Sequence, residues 1–404
     1  MILAVLAITA CLGTALAEDW PTYRHDNRRS GVTAESVDAA SLKEAWVYRP
    51  PHPPQPAWHG PAKWDAYSGK ESLRAMRNYD PVFYTIAVGD AVYFGSSAED
   101  TVYALDAATG AVQWARVLDG AIRIAPAYDN GRLYVGADDG CAYALDADTG
   151  QTVWKYRPSA DKRLIPSNGK LIALQPCRTG VLVENGIAYF GMALLPWEES
   201  YFCAVDAATG SVEGPRHFRA VRKGLTMEGA LLASPNKLYV PQGRTVPMVF
   251  DRQTGKRLGA IKGAGGVFAV LTPDMKLVHG PDNQKEDWIA VSDTDSGDRL
   301  ASFERGNFMI VVEDRAYVLK DSEVLAVDRA TGEAVWSVPC DCPYTLILAG
   351  DTLLAGGNHK VTAFAAADGR VSGTIPVSGR AYGITVANRR VFVSTDTGAI
   401  HALD

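Results

Sequence analysis

The sequence has few of the features that mark a membrane, nucleic-acid-binding or disulfide-built protein. No apolar run after residue 17 is long enough to cross a bilayer as a helix. The 40 Lys+Arg against 46 Asp+Glu leave a formal charge of −6, which gives no general attraction to nucleic acid. Six cysteines in 404 residues are too few to be the framework of the fold. The sequence therefore predicts a globular chain with no transmembrane span and no nucleic-acid partner.

Familiar catalytic and metal-binding patterns are also missing. The sequence contains no G-x-S-x-G, no H-E-x-x-H, no P-loop and no C-x-x-C-H haem attachment motif. The seven histidines show no paired ligand spacing, and the run from Asp293 to Asp298 lacks the later ligands of a calcium loop. We predict no metal site. A catalytic site assembled from several distant segments stays open.

The first seventeen residues are predicted to be a signal peptide. They carry no charge, and Ala15-Leu16-Ala17 fits the small-x-small site of signal peptidase. A lipoprotein cleavage box ending at Cys11 is the alternative. Either interpretation predicts an exported protein, periplasmic or extracellular, in an oxidising compartment. Five cysteines then remain, an odd number, and the sequence leaves open which of them are paired. The Cys340-Asp-Cys342 pair is only a weak redox or metal signal.

The strongest signal in the sequence is a repeat. The pattern A-x-D-x-x-T-G-x-x-x-W starts at Ala104, Ala144 and Ala326. Weaker copies keep the turn and lose the tryptophan, so that the repeat falls at positions 106, 146, 206, 251, 293, 328, 365 and 404. The mean spacing of about 43 residues is the size of one four-stranded propeller blade.

Each repeat unit looks like short strands separated by tight turns. In the second unit, Asp129-Asn130-Gly131 and Asp138-Asp139-Gly140 separate runs of β-branched and aromatic residues. Such turns supply the positive φ that hairpins require. No long amphipathic helix interrupts the repeats. We therefore predict an all-β fold, an eight-bladed β-propeller of four-stranded antiparallel blades, in a single domain of residues 18–404.

The two ends of the chain predict how the ring closes. The last unit breaks off at Asp404, and residues 42–48 match a fourth strand that has no unit of its own. We expect residues 42–48 to complete the last blade and so to remove an exposed edge strand. Tryptophans and turn aspartates at equivalent repeat positions are predicted to dock neighbouring blades. These docking residues are Trp46, Trp114, Trp154, Trp336, Asp106, Asp146 and Asp328.

The repeat resembles the tryptophan-docking motif of pyrroloquinoline-quinone (PQQ) repeats. These repeats occur in eight-bladed quinoprotein alcohol dehydrogenases and in the BamB-type outer-membrane assembly propellers of bacteria. The opening run from Asp19 to Tyr23, followed by Arg29-Ser30-Gly31 and Leu42 to Trp46, is also similar to the N-terminal segment of PQQ dehydrogenases. The resemblance covers nearly the whole chain after residue 17. It implies the fold, and it implies much less about activity.

A dehydrogenase of this family would imply PQQ between a tryptophan and a disulfide of adjacent cysteines, beside a Ca²⁺ ion. This sequence has no two adjacent cysteines, and no local motif matches the calcium-binding residues. The chain is also shorter than those enzymes. We therefore expect neither PQQ nor Ca²⁺ as a cofactor.

The position of residues within a blade predicts where a ligand binds. Propeller ligands usually bind at the channel mouth, where loops lead into the innermost strands. Arg123 and Arg178 each lie thirteen residues before the glycine that ends the second strand of their blade, so we expect them to be neighbours there. Arginines, tyrosines and carboxylates suit glycans or a peptide carboxylate; the alternative is that the arginines simply pair with acidic neighbours. The predicted rim residues are Arg123, Arg178, Tyr79, Asp80, Glu228, Tyr344 and Tyr382.

Two insertions, residues 49–80 and 158–180, interrupt the repeat before an innermost strand, and we expect both over the same mouth. A basic run from Arg216 to Lys223 falls in the same sector, as a solvated strand or as an anion-binding patch.

These observations favour a monomeric, non-catalytic propeller that binds a protein, peptide or glycan at the mouth. The alternative is an enzyme, PQQ-dependent or active on polysaccharide.

Overall fold

The computed structural model describes residues 17–58, 62–65, 70–73, 79–243, 245–281 and 288–404, with only the backbone of 62–65 and 70–73. Apart from Ala17, the predicted signal peptide lies outside these residues, and so does Cys11. Within the described ranges the secondary structure consists of strands, and no helix there is long and apolar enough to cross a membrane.

Four short strands precede the first complete blade. They are β1 (Val32–Thr33), β2 (Glu44–Tyr48), β3 (Ala62–Asp65) and β4 (Lys70–Leu73). Blades 1 and 2 follow, with a hairpin, β13–β14, after them. Their strands are β5 (Thr85–Val88), β6 (Ala91–Ser96), β7 (Thr101–Asp106), β8 (Val112–Val117), β9 (Ala127–Asp129), β10 (Arg132–Ala137), β11 (Cys141–Asp146), β12 (Thr152–Tyr156), β13 (Leu164–Ser167) and β14 (Lys170–Ala173).

Blades 3 to 6 each form a separate four-stranded antiparallel sheet. Their strands are β15 (Leu182–Glu184), β16 (Ile187–Met192), β17 (Ser200–Asp206), β18 (Phe218–Arg222), β19 (Leu232–Ala233), β20 (Lys237–Val240), β21 (Met248–Asp251), β22 (Arg257–Ala260), β23 (Phe268–Leu271), β24 (Lys276–Gly280), β25 (Trp288–Asp293), β26 (Arg299–Glu304), β27 (Gly306–Val312), β28 (Arg315–Lys320), β29 (Glu323–Asp328) and β30 (Ala334–Pro339).

Blades 7 and 8 share one long strand. The remaining strands are β31 (Thr345–Ala349), β32 (Thr352–Gly356), β33 (Asn358–Ala365), β34 (Val371–Ala387), β35 (Arg390–Thr395) and β36 (Ile400–Leu403). The first part of β34 pairs with β33 in blade 7, and its last part pairs with β35 in blade 8. The structure thus confirms the predicted eight-bladed β-propeller.

The predicted ring closure is confirmed as well. Strand β2 pairs antiparallel with β36 as the outer strand of blade 8, with Trp46 opposite Ala402 and Val47 opposite His401. This pairing covers the edge that the last strand of the chain would otherwise expose, so the ring has no open seam.

The predicted docking tryptophans each reach the next blade. The indole N–H of Trp46 donates to the carbonyl of Ala107 at 3.0 Å, and that of Trp154 donates to the carbonyl of Ala207 at 3.0 Å. Trp114 and Trp336 make the equivalent bonds at 3.0 and 3.1 Å. Each ring lies against the glycine of the next turn, so this motif joins one blade to its neighbour.

The turn aspartates hold those glycine turns in shape. The carboxylate of Asp106 accepts hydrogen bonds from the backbone N–H and the hydroxyl of Thr109, both at 2.8 Å. Asp146 and Asp328 bond the threonines of their own turns in the same way. These side-chain and backbone hydrogen bonds lower the pKa of the Asp106 carboxyl. The aspartate therefore shapes the surface on which the preceding tryptophan packs.

The N-terminal residues 18–35, named here the axial segment, bond to innermost strands around the ring. Trp20 exchanges two backbone hydrogen bonds with Ala87 of blade 1. The other contacts lie in blades 2 to 8, and they involve Pro21 with Tyr128, Asn27 with Val183 and Ala233, Arg28 with Leu271, Arg24 with Phe308, Gly31 with Leu348, and Glu35 with Asn388. The axial segment therefore ties all eight blades together at the channel end opposite the mouth.

Candidate functional site

Described residues of the two insertions contact each other at the mouth. Gln55 of the first insertion donates from its side-chain amide to the carbonyl of Asn168, in the turn of the β13–β14 hairpin, at 2.7 Å. Asn168 bonds back to the carbonyl of Pro56. Lys170, also on the hairpin, donates to the carbonyl of Ala98 in blade 1 at 2.9 Å. Residues 55–58 are thereby held as a cap over the first four blades.

Arg123 and Arg178 are neighbours because both bind one aspartate, Asp138. The Nε of Arg123 donates to Asp138 Oδ2 at 2.7 Å, and the Nε of Arg178 donates to Asp138 Oδ1 at 3.0 Å. Sequence reasoning assigned Asp138 only to a turn. Its carboxylate in fact faces the channel and lies between the two guanidinium groups, so it holds the cluster together.

Two further carboxylates complete this cluster. Arg123 donates to Asp80 Oδ2 at 2.5 Å, and Arg178 donates to Glu228 Oε1 at 3.2 Å. Tyr79 donates from its hydroxyl to the backbone carbonyl of Arg178 at 3.0 Å. The structure therefore brings five predicted rim residues, together with Asp138, into one network, named here the sealed cluster.

The cap covers the sealed cluster directly. The backbone N–H of Ala57 donates to both carboxylate oxygens of Asp80, at 2.8 and 3.1 Å, and the carbonyl of Gln55 accepts from Arg123 at 3.0 Å. The indole of Trp58 donates to Glu228 at 3.3 Å. As a result the side chain of Arg178 is 0% exposed and that of Arg123 is 2% exposed. These arginines are paired with acids and buried, which corresponds to the alternative of pairing with acidic neighbours and not to an exposed ligand-binding rim.

Burial and ion pairing act in opposite directions on the carboxyls of the sealed cluster. Burial alone raises the pKa of Asp138, but Arg123 and Arg178 outweigh it and hold this pKa at about 2. Asp80 contacts a single arginine, so burial prevails and raises its pKa. Burial also raises the pKa of the Tyr79 hydroxyl. With two cations and three carboxylates bound to one another, the cluster is a structural element of the mouth wall.

The other two predicted rim residues lie together in a different sector. The rings of Tyr344 and Tyr382 are 4.5 Å apart between centroids, and both are partly exposed. Arg380 lies beside them, its side chain is 55% exposed, and its Nε is 3.9 Å from Asp396. Sequence reasoning missed Arg380, although it stands two residues before Tyr382. We name these three residues, Tyr344, Tyr382 and Arg380, the open cluster.

Beneath Tyr382 the channel is filled by aromatic side chains and by the axial segment. A cavity of about 20 Å³ there is bounded by Tyr23, Tyr84, Phe308 and Tyr382, among others. That volume holds about one water molecule. The open cluster therefore has an aromatic floor.

The described cysteines are all buried free thiols: Cys141, Cys177, Cys203, Cys340 and Cys342. Cys340 and Cys342 are close to each other at the start of blade 7, where Cys342 also contacts the Thr362 hydroxyl at 3.3 Å. Among the described residues no group of three or more carboxylate, imidazole or thiol side chains is arranged to hold a metal ion.

The fold and the docking motif define the class of protein, an eight-bladed propeller of tryptophan-docked repeats. The sequence profile of the PQQ-repeat family described as "Outer membrane protein assembly factor BamB" matches residues 60–338 and 320–404. The chain therefore belongs to that family, in agreement with the resemblance of its repeat motif.

Curated relatives match only parts of the chain. A polyvinylalcohol dehydrogenase of Sphingopyxis sp. (strain 113P3) is 32% identical over 232 residues, which are 52% of this chain and 31% of the relative. The quinohemoprotein alcohol dehydrogenase ADH-IIG of Pseudomonas putida is 32% identical over 146 residues, 34% of this chain and 19% of the relative. The match thus spans at most about a third of the length of these two relatives.

Solved structures support the fold. The quinohemoprotein alcohol dehydrogenase of Comamonas testosteroni superposes with a TM-score of 0.66 at 15% identity, over 95% of this chain and 80% of that one. A europium-containing methanol dehydrogenase superposes with a TM-score of 0.60 at 13% identity, over 93% of this chain and 89% of that one. At such identities the likeness shows the shared propeller and nothing about the reaction.

Proposed function

We propose that the protein is an exported, non-catalytic propeller that binds a peptide, protein or glycan through the open cluster at its mouth. The observation that carries this proposal is the pair of tilted, contacting rings of Tyr344 and Tyr382 beside the exposed guanidinium of Arg380. Tyrosine faces pack against sugar rings and apolar side chains, and arginine binds carboxylates with two parallel hydrogen bonds. The ligand chemistry is therefore a carboxylate next to a planar or apolar group.

Two ligand sources share that chemistry, a peptide C-terminus and an acidic sugar such as a uronate. Binding of fluorescent oligosaccharides and peptides, followed by anisotropy, separates them. We expect a uronate oligosaccharide or a free-acid peptide to bind, and its neutral or amidated counterpart to bind at least about tenfold more weakly, because a hydrogen bond to a charged group contributes about 1.5–3 kcal/mol. Equal binding of the charged and neutral probes contradicts the proposal.

Variants of the open cluster locate the binding. Arg380→Ala and Tyr382→Ala are expected to weaken binding about tenfold or more, on the same energetic ground. Arg370→Ala is the matched control, because Arg370 is also exposed in blade 7 but lies in the turn before β34, on the opposite face. Loss of binding in the control, or wild-type binding in both cluster variants, removes the open cluster from the site.

The enzyme alternative rests on the names of the relatives, which are alcohol and polyvinylalcohol dehydrogenases. Incubation of the protein with PQQ and Ca²⁺, followed by gel filtration and absorbance, tests it. The binding proposal predicts that the quinone separates from the protein. Co-elution of one PQQ per chain, with dye reduction in the presence of an alcohol, favours the enzyme instead.

A further inference from the structure

The β13–β14 hairpin of the second insertion has an exposed apolar face. Pro166 lies directly opposite Leu171 in the hairpin register, and Leu164 is two residues before Pro166, so all three side chains point to the same side. Leu164 is 56% exposed and Leu171 is 69% exposed. The opposite face packs inward, where Ile172 is 1% exposed. The hairpin therefore places apolar side chains in solvent on a segment that already has a buried face.

A further exposed apolar side chain, Trp197, lies on the adjacent loop of blade 3. Trp197 is 54% exposed. Glu198, the residue after Trp197, forms an ion pair at 3.2 Å with Arg163 at the base of the hairpin. The same loop is joined to the end of β18, where Gly224 donates its backbone N–H to the carbonyl of Pro196 at 2.8 Å. The hairpin, this loop and the end of β18 thus form one continuous surface, named here the lateral patch.

The lateral patch is positively charged on a negatively charged protein. Its three segments, residues 161–171, 195–199 and 219–224, contain six basic and three acidic side chains, whereas the whole chain has a formal charge of −6. Lys162 and Lys223 are exposed, and neither forms an ion pair with a described residue. Contiguous exposed apolar side chains bordered by unpaired cations are typical of a binding surface whose partner is acidic.

We propose that the lateral patch docks an extended, acidic segment of a partner protein. Apolar side chains at every second position of the segment pack on Leu164, Leu171 and Trp197, and the carboxylates between them face Lys162 and Lys223. Because successive side chains of an extended segment point to opposite faces, the segment lies edge-on along the patch, with one face towards the apolar side chains and the other towards the lysines. This contact lies in blades 2 and 3, away from the open cluster of blades 7 and 8, so it does not depend on ligand binding there.

The probe is a fluorescein-labelled peptide of about twelve residues with alternating leucine and glutamate, long enough at about 3.3 Å per residue to cross the patch. A peptide with lysine in place of each glutamate is its control. Anisotropy titration of the whole protein is expected to show saturable binding of the acidic peptide, at least tenfold tighter than the basic one and weakened by salt. Equal affinities, or no saturable binding, overturn the proposal.

Matched variants then test the surface. Leu164→Ser combined with Leu171→Ser, and Lys162→Glu combined with Lys223→Glu, are expected to weaken acidic-peptide binding at least tenfold. The controls are Leu258→Ser combined with Leu300→Ser, on outer strands of blades 4 and 5 where these leucines are 50% and 57% exposed, and Lys256→Glu. Unchanged urea midpoints show that every variant folds.

Two results contradict the docking proposal. One is an equal loss of binding in the control variants. The other is a dimer of the wild-type protein in sedimentation that Leu171→Ser converts to monomer, because a second copy of this chain is then the occupant.

Discussion

The two sides of the channel mouth use similar residues in opposite ways. On the side of blades 1 to 4, Arg123 and Arg178 are bound to three carboxylates and covered by residues 55–58. On the side of blades 7 and 8, Arg380 is exposed beside two tyrosines whose rings contact each other at a tilt. An arginine at a propeller mouth is therefore not in itself a ligand-binding group, because its role depends on whether the loop above it supplies a cover.

The difference also explains where charge contributes to stability. Within the sealed cluster the charges are removed from water and depend on one another, so deleting one leaves the others uncompensated. At the open cluster water solvates Arg380, and little stability is at stake. The open cluster is free to exchange its solvent for a ligand, and the sealed cluster is not.

The largest expected effect is that of Arg178→Ala. Because Asp138 and Glu228 lose their buried partner, we expect the free energy of unfolding to fall by about 3–5 kcal/mol in urea denaturation. Arg380→Ala is the control, with an expected change within about 0.5 kcal/mol, since it is a surface substitution. Similar losses in the two variants contradict the division of the mouth into a sealed and an open side.

The tryptophan-docked turns of the blades beneath the two sides of the mouth are expected to contribute equally to stability. A Cβ on Gly150 lies 2.5 Å from the Trp114 ring, under the sealed side, and one on Gly369 lies 2.6 Å from the Trp336 ring, under the open side. We expect Gly150→Ala and Gly369→Ala to cost similar amounts, about 1–3 kcal/mol beyond the left-handed backbone cost.

Gly332→Ala is the control for these two substitutions. Gly332 occupies the same turn position with a positive φ of 75°, but its Cβ meets no atom within 4 Å. Gly332→Ala should therefore lower the unfolding free energy only by the cost of the left-handed backbone, about 1–2 kcal/mol. Thermal or urea unfolding measures all three. If Gly150→Ala and Gly369→Ala lower the unfolding free energy by clearly different amounts, the two sides of the mouth differ in their blades as well as in their loops.

Acid is expected to weaken the sealed side selectively. The folded pKa of Asp138 is held at about 2, below the unfolded value, so its contribution is present above pH ~4 and is lost as pH falls from about 4 to about 2. The difference in unfolding free energy between wild type and Asp138→Asn should shrink by about 2 kcal/mol between pH 5 and pH 2. The exposed Asp295→Asn serves as control. A constant difference shows that Asp138 is not the titrating group.

The sequence predicted the parts of this structure that repeat. The turn aspartate, its glycine and the docking tryptophan recur, so the blade number followed from their spacing, and the pairing of β2 with β36 followed from the match of residues 42–48 to a fourth strand. The thirteen-residue spacing also predicted that Arg123 and Arg178 are neighbours. Local pattern was sufficient wherever the interaction joins equivalent positions of neighbouring blades.

The parts that do not repeat were harder to predict. The sequence gives no sign that Gln55 and Ala57 fold back over Asp80 and Arg123, since these contacts join residues far apart in the chain. Asp138 was assigned to a turn because its neighbours Asp139 and Gly140 are turn residues. The contacts of the axial segment were missed because each joins it to a different blade, through backbone and side-chain groups that form no repeating pattern.

Arginine labelling tests the division of the mouth most directly. Phenylglyoxal modifies accessible guanidinium groups, and peptide mass spectrometry locates the modified residue. In the native protein we predict modification of Arg380, which is 55% exposed, while Arg123 and Arg178 react only after urea unfolding. Native modification of Arg178 at the rate of Arg380 would contradict the account, because the sealed cluster would then be open to ligands.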